Sequence, residues 1–150
     1  MSQNEKMWFD KYRPQTLEEF VCEDNFKMKM RNYLNNNPTH LLLYGGAGCG
    51  KTSISQILCR DLEADVKELN ASDDNNVETI RGTIKTFLSL VPLSENGRKI
   101  VFLDESDYLT KDAQAVLRNM MEWNTENNIF ILTCNYVDKI TDAIQSRCVR

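Results

Sequence analysis

Eight residues, 45–52, place four glycines, a lysine and a hydroxyl group at a spacing that binds phosphate. The segment YGGAGCGKTS covers residues 44–53. In it, Gly45 is followed by four residues and then by Gly50, Lys51 and Thr52, which is the phosphate-loop pattern. Glycines let backbone N–H groups approach phosphate oxygens, and a helix that begins at Gly50 adds the positive end of its dipole. We expect Lys51 to reach the β- and γ-phosphates of a nucleotide and Thr52 to ligate Mg²⁺.

Acidic and amide side chains that suit the same chemistry follow two later apolar segments. Asp104 and Glu105 end the run KIVFLDE. Asp104 is expected to hold the metal through its water shell, and Glu105 to polarise an attacking water as a general base. The alternative is that these acids only cap a turn in solvent. Asn135 ends the run NIFILTCN, where its amide either contacts the γ-phosphate or simply closes a strand.

Strand and helix patterns alternate along the chain and predict how these side chains are positioned. Apolar runs predict strands at 40–44, 65–70, 99–105 and 128–135. Helical patterns predict helices from Gly50, over 77–91, after an N-cap at Thr110, and near 139–146. Before the first strand, a capping box at Thr16–Glu19 and a cap at Asp24 predict two more helices. The alternation predicts an α/β fold, a parallel sheet with helices on both faces, whose ligands bind at the carboxyl ends of the strands.

Composition narrows the class of protein. The 150 residues are 41% hydrophobic and 27% charged, with a net charge of −4, as expected for one globular domain without an overall basic face. No apolar run approaches the roughly 20 residues of a membrane helix, and no signal-peptide core is found, so we expect an intracellular protein with no membrane segment. Five cysteines without a Cys-x-x-Cys pair and a single histidine disfavour a zinc site or a disulfide framework.

Six segments resemble, in order and spacing, one family of ATPases. They are KYRP (11–14), GGAGCGKTS (45–53), ELNASDD (68–74), FLDESD (102–107), TCNY (133–136) and QSRC (145–148). The chain is similar, from about Trp8 to its last residue, to the small subunits of sliding-clamp loaders, of the replication factor C and phage types. The resemblance implies a P-loop NTPase fold of the AAA+ type, with strand order 5-1-4-3-2. NASDD and SRC are more specific to this family than the phosphate loop is.

The resemblance also implies roles for individual residues. Asn135 would be the first sensor. Arg147 would be an arginine finger on the ATP of the neighbouring subunit, where its charge stabilises the γ-phosphoryl group; the alternative is an exposed cation at a helix end. The adenine pocket would be lined by Tyr12, Arg13 and Pro14. The phosphates would be held by Gly45, Gly46, Ala47, Gly48, Cys49, Gly50, Lys51, Thr52 and Ser53.

Two cations on the predicted helix over 77–91 are implied to contact DNA. Arg81 and Lys85 lie four residues apart on its polar side, and repeating them around a ring of subunits would grip DNA phosphates. The alternative is an ordinary solvated face. The chain departs from the family at Asn75, where a basic residue often follows NASDD, and in DESD, which keeps Asp104 and Glu105 but replaces the commoner Asp-Glu-Ala-Asp.

The function that follows is the ATP-binding and hydrolysing core of a clamp-loader subunit. Its cofactors would be ATP or ADP and Mg²⁺, and its partners other loader subunits, the sliding clamp and primer–template DNA, in the cytoplasm or the nucleus. The alternatives are a non-catalytic nucleotide-binding or assembly module and another AAA+ ATPase such as a helicase loader.

The resemblance finally implies more chain than these 150 residues. We expect an N-terminal segment at 1–38 and a P-loop core at 39–150, with the family's helical lid and collar absent and the isolated chain poorly active. The family's fifth strand would begin just after Arg147 and lie beside the first strand. Its near absence would leave residues 40–44 as an open edge that pairs with another chain or with the protein's own tail.

Overall fold

The computed structural model describes residues 12–150, so Trp8 and Lys11, which belong to the resemblance, lie outside the described residues. Four strands form one sheet in the order β1-β4-β3-β2, and every neighbouring pair is parallel. The four predicted strands are confirmed, and their order is the one that the resemblance implies. They are β1 (Leu41–Tyr44), β2 (Asp65–Asn70), β3 (Lys99–Asp104) and β4 (Asn128–Cys134).

Helices cover both faces of the sheet, as predicted. One buried cluster packs the helices at 77–89, 111–120 and 142–145 against one face of the sheet. The other packs the helices at 24–35 and 51–61 against the opposite face. The central strand β4 is buried at all seven positions, which explains why its sequence is a continuous apolar run without alternation. The helices are α1 (Asp24–Asn35), α2 (Lys51–Asp61), α3 (Val77–Ser89), α4 (Lys111–Met120) and α5 (Asp142–Gln145). Short 3₁₀ helices lie at Ser106–Tyr108 and Val137–Lys139.

Of the three side-chain N-caps predicted at Thr16, Asp24 and Thr110, one is confirmed and two are wrong. Thr110 is the N-cap of α4, and its hydroxyl accepts from the backbone N–H of Ala113 at 3.2 Å. The Thr16–Glu19 box makes one of its two hydrogen bonds, in which the Glu19 N–H donates to Thr16 Oγ1 at 3.3 Å. The Glu19 carboxylate accepts from the N–H of Gln15 and not from that of Thr16, and residues 16–19 form only a turn. Asp24 does not cap α1; it is the first helical residue, after Glu23. The turn alone buries Leu17 and Phe20 against the core, so burial of these side chains does not require a helix at this position.

The outer edge of β1 is met by the chain's own tail. The backbone N–H of Leu42 donates to the carbonyl of Val149 at 2.8 Å, and the N–H of Val149 donates to the carbonyl of His40 at 2.9 Å. Val149 thus forms a parallel bridge with Leu41, on the side where the resemblance places a fifth strand. Self-association through this edge stays a prediction. Within residues 12–150, no helix is long and apolar enough to cross a membrane.

The imidazole of His40 joins the sheet to the end of α4. Its Nδ1 accepts from the backbone N–H of Phe130 at 3.1 Å. The Nε2–H therefore donates to the carbonyl of Met121 at 2.7 Å, and the ring is neutral. Burial lowers the pKa of His40, and the nearby Arg147 charge lowers it further, although the bond to Met121 acts in the opposite direction.

We predict that the stability of the fold depends on pH through His40. An unfolded histidine binds its proton near pH 6.5 and the folded one only at lower pH. Its stabilising contribution is therefore complete above about pH 7 and is lost as the pH falls below about 6.5 towards the folded pKa. The chain has a single histidine, so NMR of the untagged protein reports this imidazole alone, with the urea-unfolded chain as the control. A native titration midpoint at or above the unfolded one would contradict the prediction.

Candidate functional site

A cleft of about 520 Å³ lies at the carboxyl ends of β1, β3 and β4. Residues from the chain before α1, from the glycine-rich loop and from the ends of two strands meet in it. The structure therefore brings together most of the predicted site residues from separate parts of the sequence. The lining residues are Arg13, Pro14, Ala47, Gly48, Gly50, Lys51, Thr52, Ser53, Asp104, Glu105, Thr133, Cys134 and Asn135.

The glycine-rich loop curls between β1 and α2. Gly48 and Gly50 have φ angles of 76° and 89°, in the left-handed region that favours glycine. A Cβ on Gly50 would also lie 2.8 Å from the ring of Phe20. Gly50 occupies the N-cap position of α2, so the first N–H groups of this helix, which have no partner within the helix, lie at the cleft. This loop can receive a phosphate anion.

The ammonium group of Lys51 is held by the loop itself. Its Nζ donates to the carbonyls of Gly45 at 2.9 Å and Gly46 at 2.8 Å, and it lies 3.6 Å from Cys49 Sγ. Neutral carbonyls are weaker acceptors for an ammonium than phosphate oxygens are. The hydrogen bonds that hold Lys51 within the loop can therefore be replaced by bonds to a phosphate anion.

The carboxylate of Asp104 is hydrogen-bonded from two other parts of the site. The hydroxyl of Thr52, on α2, donates to Oδ2 at 2.9 Å. The hydroxyl of Thr133, on β4, donates to Oδ1, and so does the backbone N–H of Glu105, at 3.1 Å. Hydroxyl and carboxylate oxygens are suitable ligands for Mg²⁺, which usually retains several waters and takes further oxygens from phosphates. Thr52 and Asp104, in contact through their oxygens, fit this kind of shared site.

The backbone at Glu105 adopts a left-handed conformation, with φ 53° and ψ 44°. A non-glycine residue in this region carries a conformational cost, and such residues cluster at functional sites. Here the conformation is held by the Glu105 N–H, which also reaches Thr133 Oγ1 at 3.1 Å. It places Glu105 in the lining of the cleft, together with the partly buried Asn135.

Thr133 and Cys134 line the cleft without having been predicted from the sequence, and Thr133 is the one that bonds other site residues. It is buried near the end of β4 and bonds both Asp104 and Glu105. A signal was present, since Thr133 is a polar residue in the otherwise apolar run NIFILTC. That signal does not show which strand lies next to β4.

Several predicted site residues lie outside the lining of the cleft. Arg13 and Pro14 line it, and Arg13 Nη1 donates to Gln56 Oε1 at 3.1 Å, whereas Tyr12 is 66% exposed and is not part of the lining. Gly45, Gly46 and Cys49 belong to the loop but not to the lining.

Three predicted cations lie away from the cleft. Arg81 and Lys85 are exposed on α3, with Arg81 3.9 Å from Glu78. Arg147 pairs with Glu122 at 2.6 Å and does not line the cleft of its own chain. An action of Arg147 on its own nucleotide is therefore disfavoured by position.

This parallel sheet, with a phosphate loop after β1 and an acidic pair after β3, defines a P-loop nucleotide-binding protein. The model of the ATPase family associated with various cellular activities (AAA) matches residues 41–150. The chain belongs to this family, and the predicted AAA+ fold is confirmed. Membership implies nucleotide binding. The predicted division at residue 38 stays a prediction.

Among curated relatives, the chain is 44% identical over 150 residues to replication factor C subunit 5 of Homo sapiens, covering 95% of this chain and 44% of that protein. It is 43% identical over 154 residues to the replication factor C small subunit of Methanoculleus marisnigri, covering 99% and 48%. The chain thus spans less than half the length of these relatives.

Solved structures confirm the fold. A mutant form of Thermotoga maritima RuvB matches with a TM-score of 0.75 at 20% identity, covering 92% of this chain and 47% of that one. The RuvB Holliday junction branch migration motor of the same organism matches with a TM-score of 0.73, also at 20% identity, covering 91% and 46%. At such identity the likeness is one of fold alone.

We predict that Gly50→Ala opens the loop and lowers stability, whereas Gly46→Ala does neither. Alanine at position 50 must adopt a left-handed φ, which costs about 1–2 kcal/mol, and its Cβ meets Phe20. At Gly46 a Cβ has no atom within 4 Å and φ is not positive. Urea unfolding and the affinity for a fluorescent ADP analogue measure the two effects. Equal behaviour of the two variants would contradict this account of the loop.

Proposed function

We propose that this chain is the ATP-binding and hydrolysing core of a sliding-clamp loader subunit. The observation that carries the proposal is the convergence of Lys51 and Thr52 with Asp104 and Glu105 in one cleft, with Thr52 and Asp104 in direct contact at 2.9 Å. The names of the relatives, replication factor C subunits, support the choice of clamp loading among AAA ATPases. From the names of the same relatives we infer that the protein acts inside the cell, where DNA is replicated.

In this proposal the loop residues bind and orient the triphosphate. Backbone N–H groups of residues 45–53, with the amino end of α2, surround the phosphates, and Lys51 leaves the loop carbonyls to contact the β- and γ-phosphates. Thr52 and Asp104 would hold Mg²⁺, Asp104 through the water shell of the metal. The bound metal would neutralise charge that builds on the phosphate oxygens.

Glu105 and Asn135 act on the water and the γ-phosphate. The carboxylate of Glu105 accepts a proton from the attacking water, and the amide of Asn135 orients that water or the γ-phosphate. Their shared position in the lining of the cleft supports these roles. Thr133 fixes the turn that carries Glu105, so it positions the base and does not touch the substrate.

The adenine end of the nucleotide lies against the segment before α1. Arg13 and Pro14 line the cleft on this side, and we propose that they form the base pocket together with Tyr12. Tyr12 is 66% exposed and would move onto the base when nucleotide binds.

Other groups serve partners outside the chain. Arg147 acts as an arginine finger on the nucleotide of an adjoining loader subunit, which its distance from its own cleft supports. Arg81 and Lys85 contact primer–template DNA from the exposed face of α3. The exposed apolar side chains of Leu90, Val91 and Leu93, which are 60%, 84% and 93% exposed, suit a protein surface such as the sliding clamp.

We predict that binding and turnover can be separated at Lys51 and Glu105. Lys51→Ala removes the cation that contacts phosphate and weakens binding of an ATP analogue about tenfold or more. Glu105→Gln retains that affinity and lowers kcat about 100-fold or more. Fluorescence titration and phosphate release measure the two quantities. The control is Glu95→Gln, which makes the same change at an exposed acid outside the lining of the cleft.

The outcomes distinguish the proposed function from its alternative. Hydrolysis by Glu105→Gln at the wild-type rate would overturn the proposed role of the base. Tight binding without turnover by the wild-type protein, even with clamp and primed DNA, would indicate a non-catalytic assembly module instead.

A further inference from the structure

The guanidinium group of Arg147 is held by two partners on one side of the molecule. Its Nε and Nη2 both donate to Oε1 of Glu122, at 3.1 and 2.6 Å, and its Nη1 donates to the carbonyl of Ala143 at 2.6 Å. Glu122 lies just after α4, 25 residues before Arg147 in the sequence. Two separate elements therefore meet at this one planar group.

A count of the N–H donors of Arg147 shows how many of them these contacts leave without a described partner. A guanidinium carries five N–H donors in a rigid plane. Three of them are used, and residues 12–150 contain no described partner for the remaining two, one on each Nη atom. Because Glu122 and Ala143 hold three of the five donors, they restrain the plane that carries the remaining pair. The side chain of Arg147 is 31% exposed, so the group lies at the surface, where a ligand from another molecule can reach it.

The backbone next to Glu122 is held in place through the residue before it. Met121 is buried, and its carbonyl accepts from His40 Nε2 at 2.7 Å. His40 in turn accepts from the backbone of Phe130 in β4. Glu122 thus lies one residue from a point fixed to the central sheet, although its own side chain is 57% exposed.

Stability alone does not explain such a pair. Exposed ion pairs contribute little to the free energy of unfolding, because water screens them and two long side chains must be ordered. The hydrogen bond from Arg147 lowers the pKa of Glu122, and the positive charge of Arg147 lowers it further. The carboxylate is therefore ionised at neutral pH. An ionised carboxylate at one edge of a guanidinium sets the orientation of the other edge.

We propose that Glu122 is a positioning residue for Arg147, which directs the two remaining N–H donors of the guanidinium towards the phosphate of a nucleotide bound by a neighbouring subunit. This inference rests on the proposed role of Arg147 between subunits. It assigns to Glu122 a role in the rate of the shared site and none in nucleotide affinity, since the nucleotide is bound by the loop of the other subunit.

Mixing two variants tests this in the assembled complex of subunits. Arg147→Ala keeps its own cleft but supplies no finger, and Glu105→Gln supplies the finger but has a disabled cleft, so the mixture restores hydrolysis at shared sites only. The finger donor is then replaced by Glu105→Gln/Glu122→Gln. We expect kcat of the mixture to fall about ten- to a hundredfold, as for a misplaced catalytic group, with KM for ATP unchanged. The control donor, Glu105→Gln/Glu126→Gln, changes another exposed acid and retains full recovery.

Each outcome has a separate meaning. No recovery with the first pair, in complexes of normal size, removes the role of Arg147 between subunits and this proposal with it. Recovery that is equal with and without Glu122 overturns the positioning role alone. Greater recovery with Glu122→Gln also overturns it, because Glu122 would then restrain the finger.

A spectroscopic measurement tests the contact without turnover. In the 150-residue chain, the Nε–H signal of Arg147, assigned by its loss in Arg147→Lys, should exchange slowly with water. We expect Glu122→Gln to abolish the slowed exchange, while the melting temperature and ADP affinity stay at their wild-type values. Unchanged exchange in Glu122→Gln would show that the pair does not hold the guanidinium, and would overturn the proposal.

Discussion

The parallel register of β1, β4 and β3 is the constraint on which the site depends. Tyr44 pairs with Cys134, and Leu103 pairs with Leu132, so the residues that follow each strand lie side by side. Gly45 then donates to the carbonyl of Cys134 at 3.3 Å, and Asp104 meets Thr133. A slip of one residue would move a strand by about 3.3 Å, which is longer than the hydrogen bonds at Asp104. The chemistry of the cleft therefore requires the register of the sheet and not only its topology.

The sequence predicts those parts of the fold whose physical cause is local. A central parallel strand is buried on both faces, and its continuous apolar run shows this directly. The glycines at 48 and 50 have positive φ angles that side chains rarely adopt, so their spacing is visible in the sequence. The N-cap at Thr110 is equally local. For these elements the interactions that determine the structure are local, so the sequence pattern shows them directly.

The remaining features depend on which elements meet in space. The role of Thr133 arises only because β4 lies beside β3, and hydrophobic periodicity contains no strand order; the order was expected from the family resemblance. The hydrogen bond from the Glu19 N–H to Thr16 Oγ1 is the same in a single turn as in the first turn of a helix, so the residue pattern alone does not distinguish the two. Likewise, no local pattern joins Glu122 to Arg147 across 25 residues.

β4 connects the nucleotide cleft to the opposite side of the subunit. Thr133, near its end, fixes the turn that carries Glu105, and Phe130, three residues earlier, bonds the imidazole that fixes the chain before Glu122. The strand is buried at every position and bonded to strands on both sides, so it has no second arrangement to adopt at low cost. Coupling between sites requires an element with two arrangements. We therefore expect changes on nucleotide binding to occur in the loop and in the turn at Glu105, while β4 keeps Arg147 and the cleft in a constant relation.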